Sequence, residues 1–128
     1  MELKELDKEK VCDILNEIME FELAGVVRYT HSSLMVVGPH RIPIVQFLQE
    51  QAAESLQHAQ TAGEFLTGLD GHPSQKISDI VETHDHTIKG ILEESLEHEV
   101  IALNLYKKLL PIVEDSSIYL EEYTRNLI

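Results

Sequence analysis

Residues 14–30 read ILNEIMEFELAGVVRYT. Ile14, Ile18, Glu22, Val26 and Tyr29 recur at steps of three and four, so on a helix they share one face. That face is apolar except at Glu22 and Tyr29, which sets a carboxylate and a phenol on the side that should pack inward. A buried carboxylate is costly unless it takes up a proton or meets a cation. The stretch therefore predicts a packed helix with a charge to neutralise in its middle.

Two further stripes extend the pattern. Ile88, Leu92, Ser95, Glu99, Ala102 and Tyr106 form one, with Glu99 at its centre. Leu48, Ala52, Ser55, Ala59, Ala62 and Leu66 form another; His58 sits beside it and Glu54 stands one turn before. Two carboxylates and an imidazole near the middles of three helices are most simply served by one shared cation. Carboxylate oxygen with imidazole suits iron, manganese or zinc, and the lack of thiolate argues against an iron–sulfur or structural zinc site. Taken singly, each residue has a plainer reading: Glu22 can pair with Arg28 of its own helix, and His58 can be a hydrogen-bonded core or surface histidine.

Punctuation sets the helix bounds. A first helix over residues 5–37 ends at Gly38-Pro39, and a second runs from Pro43 to Thr67, stopped by Gly68, Asp70-Gly71 and Pro73. A third spans Asp85 to Leu110 with Pro111 as its stop, and Asp79–Thr83 can add a turn before it. A fourth follows residues 114–117, where Asp115 or a serine can cap it, and runs to Ile128. The short first connection makes helices one and two antiparallel. The segment over residues 68–84 can span the bundle at ~3.3 Å per residue, which lets helices two and three run parallel. One long crossover in a four-helix bundle is the ferritin-like topology, although a long loop is also compatible with other arrangements.

At 128 residues the chain reads as a single domain over 1–128. The one cysteine, Cys12, permits no intrachain disulfide and fits a reducing compartment. The charged start MELKELDKEK has no apolar signal core, and no apolar run approaches the ~20 residues of a membrane helix, so the expected location is cytoplasmic. Twenty-three acidic against ten basic residues give a net charge of −13, which repels nucleic acids and anionic membranes and favours cations as partners.

Three segments together resemble the bacterioferritin branch of the ferritin-like superfamily: FELAGVVRY at 21–29, ESLQHA at 54–59 followed by GLDGHP at 68–73, and LEHE at 96–99. The resemblance covers about residues 10–128. It implies an all-α ferritin-like four-helix bundle with a long crossover between helices two and three. It also implies a di-iron site in which Glu22, His58 and Glu99 bind metal and Tyr29 lies near as an electron donor. Ser55 stands where the family has its bridging glutamate, with Glu54 one residue earlier, so either Glu54 or Ser55 faces the metal. Leu56 replaces the haem-binding methionine, and haem is not expected.

The fourth helix carries Glu121 and Glu122 but no histidine. It reads as truncated, with the family's second Glu-X-X-His pair beyond Ile128 and an apolar groove left along half the bundle. The function implied by the resemblance is ferroxidase activity and iron storage, using ferrous iron with oxygen or peroxide, in a homodimer or a larger cage. Two alternatives stand beside it. A rubrerythrin-like di-iron oxidase or peroxidase normally needs paired cysteines, and a helical interaction module needs no metal. Of the other histidines, His84 and His86 in Thr83–His86 can converge on a surface metal or belong to a solvated turn. His98 points about 100° from Glu99 and would become a ligand only if the helix were rotated. His31, His40 and His72 read as surface or loop residues.

Overall fold

A computed structural model describes residues 5–128, so the first four residues of the charged N-terminal run lie outside the described residues. Four helices follow in order: α1 Lys8–Met35, α2 Arg41–Gly68, α3 Ile88–Val113 and α4 Ile118–Leu127. Asp7 starts α1 by accepting a hydrogen bond from the Lys10 amide at 3.2 Å. Gly38, with φ of 111°, supplies the turn into α2 that a side chain would resist. The second helix begins at Arg41, ahead of Pro43, because a proline in the first turn removes only an amide that has no helical acceptor. At its far end the left-handed residue is Asp70, and the Gly71 amide donates to Leu66 O at 2.9 Å.

The third helix differs from expectation at both ends. No additional turn forms over Asp79–Thr83; the whole stretch from Gly71 to His86 is free of helix. Thr87 caps α3 by accepting from the Gly90 amide at 3.1 Å. Pro111 does not stop it, since the helix continues to Val113. An interior proline costs about 3 kcal/mol, but burying a side chain such as Leu109 or Val113 returns roughly 1.5–3 kcal/mol each, and both are fully buried. Ser117, rather than Asp115, caps α4.

The crossover fixes the topology. Asn16 donates to His72 O and accepts from the Ser74 amide, the Ser78 amide donates to Glu20 O, and Glu82 reaches His31. The segment thus climbs along α1 from its N-terminal half towards its C-terminal end. From there α3 descends: Ile91 packs with Tyr29 and Val36, whereas Leu109 and Val113 pack with Val11 and Leu15. The third helix is antiparallel to α1 and therefore parallel to α2, as a single long crossover requires.

Two apolar clusters result. The lower one joins Val11, Leu15, Ile18, Ala62, Leu66, Tyr106, Leu109 and Leu120 from all four helices. The upper one is smaller, built on Tyr29, Val36, Leu48 and Ile91. No helix covers α2 and α3 on that upper side among the described residues, and a groove lined by Tyr29, Phe47, Leu92 and Leu96 stays open, with Leu96 67% exposed. No described helix is long and apolar enough to cross a membrane.

Candidate metal centre

Between the two apolar clusters lies a polar layer centred on Glu22, which is 3% exposed. Both carboxylate oxygens are engaged. Oε2 stands 2.7 Å from Nδ1 of His58 on α2, and Oε1 stands 3.2 Å from Nε2 of His98 on α3. Three helices thus converge on one carboxylate. Arg28 is not its partner.

His98 is fully buried, contrary to its outward reading from sequence. The inward stripe of α3 is Ile91, Ser95, His98, Ala102, Tyr106 and Leu109, rotated from the one through Leu92 and Glu99. Space for the imidazole comes from α1: a Cβ on Gly25 would lie 2.5 Å from His98 Cε1. The Phe21 ring stacks on it with centroids 4.3 Å apart. Its other nitrogen, Nδ1, has no hydrogen-bond partner. Gly25 was the sequence signal for this slot, because a glycine within a long helix costs stability unless something must approach it closely.

Glu99, expected in the centre of the inward stripe, is exposed. It stands at the edge of the layer, where Oε1 accepts the Tyr29 hydroxyl at 2.9 Å. The carboxylate thereby keeps water on one side while Tyr29, 1% exposed, keeps its ring inside. Glu54 is exposed and sits 3.8 Å from Nε2 of His58, on the side away from Glu22. Ser55 is buried, but its Oγ faces Gly25. Of the two, Glu54 is the one beside the histidine.

Glu54, His58, Glu99 and Tyr106 line an open pocket of about 410 Å³, closed on one side by Asn126 and Leu127 of α4. The Tyr106 hydroxyl is buried without a hydrogen-bond partner. A family model described as "Ferritin-like domain" matches residues 12–126. The chain belongs to the ferritin-like domain family. No curated protein matches it. Among solved structures, this ferritin-like domain is similar to a dodecameric thioferritin, the bacterioferritin-related protein of Bacteroides fragilis. The TM-score is 0.84 at 19% identity, over 96% of this chain and 78% of that one. It is also similar to a ferritin-like, diiron-carboxylate protein of Bacillus anthracis str. Ames, with a TM-score of 0.79 at 21% identity, over 94% and 89% of the two chains. These likenesses establish the fold.

The electrostatics of the ferritin-like centre follow from the pairing. Burial pushes Glu22 up, but the hydrogen bonds and charges of His58 and His98 outweigh it and hold the carboxyl below its usual range. The hydrogen bond to Glu22 raises His58 against the opposing pull of burial. Burial, followed by the Glu99 charge and hydrogen bond, keeps the Tyr29 phenol protonated far above its usual range. The donors suit a hard or borderline cation. Among the described residues, however, Glu22, His58, Glu54 and Glu99 do not form a group of three with donor atoms within 4.8 Å of one another.

Proposed function

We propose that this ferritin-like domain binds ferrous iron beside His58 and oxidises it, in the service of iron storage. The observation that carries the reading is a carboxylate 3% exposed, held by imidazoles from two other helices, one of which, His58, lines a pocket together with two more carboxylates. Iron enters as substrate through the side occupied by Glu54 and Glu99. His58 turns its ring nitrogen and Glu22 its carboxylate towards the ion, the proton they share passes to water, and Glu99 and Glu54 complete the donor set by side-chain rotation. Each ferrous ion gives up one electron to oxygen or peroxide. Tyr29 holds Glu99 in place through its hydroxyl and is near enough to supply an electron.

A second ion needs donors beyond these, in the role of the family's second Glu-X-X-His pair. Oligomer formation belongs to the same reading: the open groove at Phe47, Leu92 and Leu96 is apolar, and the similar Bacteroides fragilis protein is dodecameric. Domain extent over 1–128 and a cytoplasmic location complete the proposal. Mixing the protein anaerobically with ferrous iron and then with oxygen tests it. Glu99→Ala should lose rapid oxidation at least tenfold; an unchanged rate would remove Glu99 from the site.

One observation favours a metal-free interaction module: Glu22 already has an imidazole on each oxygen and needs no cation to be neutralised. Under that reading neither iron nor oxygen perturbs the His58 ring, and the open groove alone engages a partner.

A further inference from the structure

A second histidine–carboxylate cluster lies where the crossover meets the upper end of α1. His31 comes from α1, and Glu82 and His86 come from the crossover; their donor atoms all lie within 4.8 Å of one another. Nε2 of His31 is 3.2 Å from Glu82 Oε1, and the two imidazole rings meet edge to face with centroids 5.5 Å apart. Despite that short distance, Nε2 of His31 is shielded from water and makes no hydrogen bond. A shielded ring nitrogen that faces a carboxylate without a hydrogen bond is poorly served by protein alone.

We propose that His31, Glu82 and His86 form a site for a first-row divalent metal ion of the zinc or ferrous class, separate from the bundle centre. Imidazole and carboxylate donors bound at about 2.0–2.2 Å from one ion stand some 3–4 Å apart, so the His31–Glu82 pair already has the spacing, and small rotations of half-exposed side chains bring in His86. Three protein ligands leave a position for water, as open sites do. A cavity of about 260 Å³ adjoins the cluster, walled by Val27, Ile80 and Val81. Arg28, Asp85 and Glu94 also line it. His84, whose pairing with His86 the sequence allowed, is instead 81% exposed and 3.9 Å from Glu82. The residue that completes the group is His31, read from sequence as a surface position.

Bound metal would cross-link the crossover to α1, nine residues and ~13 Å along the helix from Glu22 at 1.5 Å per residue. The test is a titration of the purified chain with Zn²⁺ alone, followed by the nitrogen-15 resonances of the histidine rings and by thermal unfolding. The expected result is that His31 and His86 shift together within one equivalent and that Tm rises. Glu82→Gln and His86→Ala, both on the crossover surface, should each weaken this binding at least tenfold and remove the Tm rise. The bundle-centre rings report separately, so failure of the iron site leaves this outcome readable. Shifts confined to His58 and His98, or unchanged affinity in both variants, would overturn the proposal.

Discussion

The chain holds two clusters of the same chemistry in opposite surroundings. At the bundle centre Glu22 is almost wholly buried, and each oxygen is tied to an imidazole. At the crossover His31, Glu82 and His86 are partly solvated and stand close together, but the shielded Nε2 of His31 makes no hydrogen bond. Burial ties the first set to the packing of three helices and engages both oxygens of Glu22, although Nδ1 of His98 stays without a partner. Partial exposure lets the second remain loosely arranged at little cost. Mutations should therefore cost stability at the centre and only metal affinity at the crossover.

The largest effect should come from Glu22→Ala, which leaves two inward imidazoles facing a void. Breaking a buried ion pair from one side costs about 3–5 kcal/mol, a large part of the roughly 5–15 kcal/mol a domain has, and urea unfolding would register it. Gly25→Ala comes next. Its methyl would collide with the His98 ring, so an overpacking cost of about 1–3 kcal/mol should exceed the helix-propensity gain of about 1 kcal/mol or else push His98 from its slot.

The stability of the metal-free protein should also follow pH. Glu22 sits below its ordinary value of 4.5, so its share of stability is present above that value and is lost as pH falls through the depressed pKa. His58 sits above its ordinary 6.5; its share is present below that value and is lost as pH rises through the raised pKa. Unfolding measured across pH should give a maximum between these flanks, and Glu22→Gln should flatten both. Tyr29→Phe should cost only about 0.5–1.5 kcal/mol, the worth of one hydrogen bond to an exposed acceptor, and should free Glu99 to move. Smallest of all, Glu82→Gln without metal should change stability by less than about 1 kcal/mol. A large loss there would erase the contrast between the clusters.

The helical order and the crossover were legible because Gly38-Pro39 and Asp70-Gly71 punctuate strong stripes. The inward position of Glu22 was legible too, since α1 offers only one apolar face through it. On α3 the apolar residues are dense enough for two stripes about 100° apart. One contains Leu92 and Glu99, the other Ile91, His98 and Leu109, and what chooses between them is the room Gly25 leaves on a different helix. A long-range packing fact of that kind has no local trace in α3. The same holds for His31, whose partners arrive from a segment fifty residues later that has no periodicity to read. Pro111 misled for a related reason: a local stop signal was overruled by the burial of Leu109 and Val113.

The most direct measurement compares oxygen consumption on adding ferrous iron to the wild-type chain and to Glu22→Gln, with folding of both checked by circular dichroism. A site organised around the buried carboxylate predicts rapid consumption by the wild type and at least a tenfold loss in the variant. Equal rates in the two proteins, or no rapid consumption by either, would contradict it.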